Sequence, residues 1–238
     1  MSQEPEDAVI CCIAINEELY LEEWIKYHLK MGFSHIYIYD NNKDQSQLTN
    51  YLENTTIYQN ETIKKKVSIL PMPGKNKQYV AYNHFLKHFA LKHKWVSILD
   101  CDEFIVLKNW VPITQFLNQV CKQGSVSLHW RIFGDNGHKQ YSPYPVTQRF
   151  TKCAKNLDTF FKSISVCKHI KEITDPHYTK LHHPYVQHDC TGRKLFNTSL
   201  DESPKRQQLV EFAYINHYFG KSFEEWKLKK KRGCADRP

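Results

Sequence analysis

Asp100 and Asp102 stand one residue apart in SILDCDEF (residues 97–104), with Glu103 beside them, directly after a stretch that reads as a buried strand. Side chains two apart on an extended segment point the same way, so the two aspartates would project together and repel unless a cation sits between them. Hard carboxylate oxygens in this arrangement suit Mg²⁺ or Mn²⁺, and such an ion can also grip a substrate diphosphate. An isolated D-x-D arises by chance roughly once in a few hundred residues, and a solvated turn at a strand end explains it equally well. The elements that carry it must decide.

AVICCIAI (8–15) is an unbroken apolar run, the pattern of a strand covered on both faces. In the next segment Leu21, Trp24, Ile25, His28 and Leu29 recur at helical spacing; Asn16 can cap that helix and Gly32 can stop it in the left-handed conformation. HIYIYD (35–40), VSILPM (67–72) and WVSILD (95–100) read as further strands, with a helix over 76–92. Strand and helix alternate, so the fold class is α/β with a mainly parallel central sheet flanked by helices, and ligands collect beyond the carboxyl ends of its strands. Asn16, Asp40 and Asp100 lie at three such ends. The second half predicts strands at 125–133, 146–150, 161–166 and 210–219, joined by longer loops, then a helix from Ser222 whose SFEE forms a capping box with Glu225.

A chain of 238 residues fits one domain. Lys and Arg outnumber Asp and Glu by 33 to 25, which favours anionic partners. Much of the excess lies in KLKKKRG (227–233), fit for an anion site or a peripheral membrane contact, whereas the first 25 residues are acidic. The eight cysteines follow no disulfide or Cys-x-x-Cys zinc pattern, so reduced thiols are expected. No stretch approaches the roughly 20 apolar residues that span a bilayer, and no leader opens the chain. The expectation is a cytoplasmic protein or a soluble domain of a larger one.

Six segments together carry a resemblance: CIAINEELYLEEWIKYHLKMGFSHIYIYDN, QYVAYNHFL, WVSILDCDEF, HWRIFGDNG, FKSI and INHYFGKSFEEWKLKKKRG. Their order and spacing resemble the GT-A glycosyltransferases related to families 2 and 92, over about residues 8 to 236. The resemblance implies a Rossmann-like GT-A fold, with residues 8–104 as the nucleotide-sugar half and 105–238 as the acceptor half. It implies a hexosyltransferase-like enzyme that takes a nucleotide-sugar, preferably a UDP-sugar, as donor and a glycan or other hydroxyl compound as acceptor. Mn²⁺ or Mg²⁺ is the expected cofactor, and inversion at the sugar carbon the expected outcome.

Carried onto this sequence, the resemblance implies that Ala14, Asn16, Glu17, Asp40, Gln78 and Asn83 bind the donor. Asp100 and Asp102 hold the metal with His217 as a candidate third ligand, and Lys221, Lys227 and Arg232 neutralise phosphate. Bland readings stand beside these: Asn16 as a cap, Asp40 as a turn former, His217 as a core histidine and the lysines as a solvated helix face. For the general base the candidates are Asp135, in the turn FGDNG, and Asp189. The histidines at 177, 182, 183 and 188 with Cys190 invite a zinc reading, but their spacing fits no common site, and His182 or His183 suits sugar recognition better. A nucleotidyl or phosphoryl transferase would use the same carboxylates. A nucleic-acid-binding module is disfavoured, because the basic residues do not interleave with aromatics along strands.

Overall fold

The computed structural model describes residues 5–109, 111–196 and 200–233. The first half runs β1 (Ala8–Ala14), α1 (Glu18–Lys30), β2 (His35–Asp40), short helices α2 (Gln47–Glu53), α3 (Thr56–Gln59) and α4 (Glu61–Lys64), β3 (Val67–Pro71), α5 (Gln78–His88) and β4 (Trp95–Ile98). The second runs β5 (Glu103–Leu107), α6 (Ile113–Val120), β6 (Ser125–Ile132), α7 (Val146–Arg149), β7 (Phe161–Val166), β8 (Ile170–Glu172), β9 (Lys180–Leu181), β10 (Gln187–Asp189), β11 (Ala213–His217) and α8 (Phe223–Arg232). The main sheet is ordered β3-β2-β1-β4-β7-β6-β11-β5, with β10 added against β6. Its first four strands are mutually parallel, and antiparallel β7 joins them to the rest.

The continuous apolar run of β1 follows from its central place between β2 and β4. Successive side chains leave a strand on opposite faces. Ala8, Ile10, Cys12 and Ala14 therefore enter one core with Leu21, Trp24 and Ile25 of α1, while Val9, Cys11 and Ile13 enter another with Ala81, Tyr82 and Phe85 of α5. Trp24 is fully buried and donates its indole N–H to the Glu103 carbonyl at 2.8 Å, tying α1 to the start of β5. Truncation to alanine there would cost about 3–5 kcal/mol.

Helix α1 ends as its glycine predicts. Gly32 has φ +105°, its N–H reaches the Leu29 carbonyl, and the Phe33 N–H reaches the His28 carbonyl, which together close the final turn. Its start differs from expectation. Glu17 occupies the cap position without a capping side-chain bond, and Asn16, at φ +52°, donates its N–H to Asn42 Oδ1.

Three further departures from the sequence reading bear on the site. Residues 146–149 form helix α7, because both carboxylate oxygens of the distant Glu23 bind its first N–H groups, at Val146 (2.6 Å) and Thr147 (3.1 Å). The strand expected over 210–219 is confined to β11, its approach being a 3₁₀ segment. β5 was not anticipated; it follows the two aspartates directly and crosses to the far edge of the sheet. All seven described cysteines are free thiols, and Cys234 lies outside the described residues. No described helix is long and apolar enough to cross a membrane.

Candidate active site

β4 stops at Ile98, so the two aspartates do not stand on an extended strand. Residues 100–103 form a turn closed by the Glu103 N–H on the Asp100 carbonyl (3.1 Å) and by the Asp100 N–H on Glu103 Oε2 (2.8 Å). Cys101 drops into the core with Cys12, and the carboxylates of Asp100 and Asp102 both face a cavity of about 480 Å³. Each has found its own cation. Lys162 Nζ sits 2.8 Å from Asp100 Oδ2, and Lys229 Nζ sits 2.5 Å from Asp102 Oδ2.

The sheet explains both pairings. β7 lies antiparallel to β4 and carries Lys162 past the strand tip, where the side chain, 1% exposed, also comes within 3.6 Å of Glu103. Burial works against the Lys162 ammonium, yet Asp100 and Glu103 hold its pKa above the ordinary lysine value. Burial pushes the Glu103 carboxyl well above its usual range, which leaves Asp100 as the principal counter-ion. β11 pairs with β5 so that His217 lies opposite Glu103, and the Tyr218 N–H binds the Asp102 carbonyl. His217 Nε2 thereby reaches within 3.5 Å of Asp102 Oδ1. Burial alone would raise the Asp102 carboxyl, but Lys229, His217 and Lys221 outweigh it and hold it well below the usual carboxylate range.

Helix α8 closes one side of the cavity. Ser222 and Glu225 form the predicted capping box. Arg149 grips Glu225 through two bonds of 2.8 and 3.0 Å, and Tyr20 donates to it at 2.7 Å. With its root fixed, the same face one and two turns later presents Lys229 and Arg232. Arg232 binds the Ile15 carbonyl and, at 2.8 Å, Glu17 Oε1, so α8 joins the loop after β1 to the aspartate turn.

Several buried polar atoms around this cavity have no hydrogen-bond partner: Glu17 Oε2, Trp130 Nε1, His217 Nδ1 and Arg232 Nε. Unsatisfied buried groups cost free energy and are uncommon in native proteins, so a concentration of them in one concavity marks a place for a polar ligand.

Of the sequence candidates, Glu17, Gln78, Asp100, Asp102, His217 and Arg232 line this cavity. Asn16 and Lys221 line an adjoining one. Ala14 and Asp40 are buried and paired with each other at the ends of β1 and β2; the Asn42 N–H satisfies Asp40 Oδ1. Asn83 spends its amide on the Tyr79 carbonyl and on both backbone groups of Ile173, clamping α5 to the loop after β8. Lys227 is exposed, its ammonium over the Phe223 ring. Asp135 is exposed in its turn and lines a groove that shares Phe219 and Trp226 with the cavity. Asp189 is buried and committed to Thr191 and Arg193. Lys162, Lys229, Lys230 and His177 line the cavity without having been singled out for it. The i, i+4, i+7 spacing of Glu225, Lys229 and Arg232 was the signal for Lys229.

Among the described residues no group of three or more His, Cys, Asp or Glu side chains could hold a metal unaided, which leaves the 177–190 histidines without a zinc site. For the same reason Asp100, Asp102 and His217 do not form a ready three-ligand site, since Asp100 is turned to Lys162. What remains is an oxygen and an imidazole nitrogen facing each other at 3.5 Å, with the second ring nitrogen unpartnered. A divalent ion taking one carboxylate oxygen and one imidazole nitrogen would complete its other positions with phosphate and water, and the nitrogen makes Mn²⁺ a better fit than Mg²⁺.

The sequence profile of glycosyltransferase family 92 matches residues 7–232. The chain belongs to glycosyltransferase family 92. A family 92 protein of Ricinus communis is 25% identical over 166 residues, 68% of this chain and 29% of the relative. One of Oryza sativa subsp. japonica is 24% identical over 151 residues, 60% of this chain and 24% of the relative. The chain thus spans less than a third of the length of these family 92 relatives. A mannosyltransferase of Pyrobaculum calidifontis, solved with GDP-Man and Mn²⁺, is 14% identical and covers 53% of this chain and 36% of its own, with a TM-score of 0.39. Family 92 membership rests on the profile, and the mixed, largely parallel sheet flanked by helices agrees with the α/β fold class expected from the sequence.

Proposed function

We propose that the cavity binds a nucleotide-sugar, with a UDP-sugar as the first donor to test, and that the chain transfers the sugar to a hydroxyl acceptor with inversion. The observation that carries this reading is the convergence of Asp100, Asp102, His217, Lys229 and Arg232 on one concavity in a family 92 chain. Cations at the end of parallel strands, beside carboxylates able to hold a divalent ion, suit a diphosphate. Cleavage of the bond from sugar to phosphate leaves added charge on the diphosphate; Asp102 and His217 would hold a divalent ion there, which would supply charge compensation to the leaving group.

The residues of the chain do the rest. Glu17 and Gln78, from the loop after β1 and the start of α5, face the nucleoside, while Lys229, Lys230 and Arg232 face the leaving phosphates. Trp130, whose ring packs 4.2 Å from that of His217, offers a face and an unpartnered N–H to the sugar. Asp135 takes the acceptor's proton from the neighbouring groove. The cavity draws its lining from both halves of the chain, residues 8–104 and 105–238.

The test is incubation of the protein with a panel of radiolabelled nucleotide-sugars, Mn²⁺ and candidate glycan acceptors, followed by product analysis. Acceptor-dependent release of free nucleoside diphosphate is expected. Release of pyrophosphate or inorganic phosphate would instead show attack at phosphorus.

A further inference from the structure

The anionic groups of the cavity are all matched by cations from within the chain, but not equally firmly. Lys162 is 1% exposed and lies between Asp100 and Glu103, so moving it would leave Asp100 without its counter-ion and an ammonium without a place in the core. Arg232 holds Glu17 and the Ile15 carbonyl together. Lys229 differs. Its side chain is 24% exposed and makes one carboxylate contact, on Asp102 Oδ2, with a 3.2 Å bond to the Phe219 carbonyl and its ammonium 4.2 Å from the centre of the half-exposed Phe219 ring. A lysine ammonium is a compact charge on a flexible stem and can swing between acceptors, which a forked guanidinium does less readily.

That contact falls on the carboxylate best placed to bind a divalent ion. With Lys229 in place the Asp102 charge is already compensated, so an ion arriving alone must displace an ammonium and leave it without a partner in a half-buried site. A diphosphate arriving alone adds negative charge opposite Asp100 and Asp102. The two together roughly cancel, and the freed ammonium gains the diphosphate as its new partner.

We propose that Lys229 is an exchanging cation, holding Asp102 until a divalent ion replaces it and then transferring its contact to the donor diphosphate. The inference rests on the donor-site reading above and adds an order to it: ion and nucleotide each bind poorly alone and well together. Because linkage is reciprocal, the nucleotide strengthens ion binding by the same factor as the ion strengthens nucleotide binding.

The test is Mn²⁺ affinity, read from the electron paramagnetic resonance of free Mn²⁺, with and without UDP. The wild type is expected to bind Mn²⁺ about tenfold or more tightly when UDP is present. Lys229→Met should bind Mn²⁺ alone more tightly than the wild type and UDP alone more weakly, so that the coupling shrinks; Lys229→Gln should do the same while keeping a polar group beside Asp102. Circular dichroism melting identifies a variant that fails to fold, and the second variant then carries the test. Unchanged or weaker Mn²⁺ binding by the folded variants in the absence of UDP would overturn the exchange. Asp102→Asn tells that failure from a deeper one: if it retains full Mn²⁺ affinity in the presence of UDP, the donor-site reading falls along with the exchange.

Discussion

Two clusters in this protein are built from the same parts, a pair of aspartates with a basic partner, and they behave differently. At β10, Arg193 lies between Asp189 and Asp201 at 2.7 and 2.5 Å. Every oxygen of those carboxylates is taken, by the guanidinium, by Thr191 or by the Ser203 N–H. At the end of β4, Asp100 and Asp102 hold separate lysines, face a cavity and are surrounded by buried atoms without partners. The first cluster closes on itself and pins a loop. The second is satisfied only provisionally, and that incompleteness, more than the presence of aspartates, distinguishes a binding site from a structural ion pair.

The sharpest way to break this comparison is to exchange single atoms in the open cluster. Asp102→Asn should lower transfer per folded molecule about a hundredfold or more, through several kcal/mol of lost charge compensation, and should also lower the melting temperature, because Lys229 and His217 hold that buried carboxylate well below its usual range. An active variant measured by product formation would put the two clusters in the same class.

Glu225 stands between them: fully satisfied, yet at the root of the helix that carries Lys229. Burial would raise its carboxyl, but Arg149, Ser222 and Tyr20 draw it down to about 2. Its folded pKa lies below its unfolded one, so its contribution is complete above the unfolded value near 4.5 and is lost as the pH falls toward 2. Glu225→Gln should therefore destabilise the protein at neutral pH by about 3 kcal/mol and flatten the pH dependence of stability in that acid window. Denaturant unfolding at several pH values measures both effects.

In the closed cluster, Arg193→Met should cost about 2 kcal/mol, less than a fully buried pair because 26% of the arginine side chain is exposed. Transfer per folded molecule should stay at the wild-type level, so a selective loss of activity would assign Asp189 a chemical role after all. The smallest effect is expected at Lys227. Lys227→Met should change UDP affinity by less than about threefold, because an exposed charge outside the cavity is well screened, and titration calorimetry would detect more.

Much of the first half was legible because its signals are local. The apolar run of β1, the helical spacing of Leu21, Trp24 and Ile25, and Gly32 as a stop each depend on neighbours within a few residues. The misreadings came from contacts made across the fold. Residues 146–149 become helical because Glu23 reaches them from α1, and the helix begins one residue later than Asn16 could cap, Asn16 being held at φ +52° with its backbone N–H on Asn42. The aspartate pair was visible in the sequence, but its partners were not. Lys162 looked like an unremarkable member of a strand, and only the antiparallel placement of β7 beside β4 sets it against Asp100. Lys229 was hidden in a run of lysines, of which the helix turns this one and Lys230 toward the cavity. Asp189 and Asn83 looked available because nothing near them in sequence announces the bonds that consume them.

The most direct measurement is a crystal structure with Mn²⁺ and UDP. The account predicts the nucleotide in the cavity between α5 and α8, the ion on Asp102, and the Lys229 ammonium turned from that carboxylate to the diphosphate. UDP bound elsewhere, with the contact between Lys229 and Asp102 intact, would contradict it.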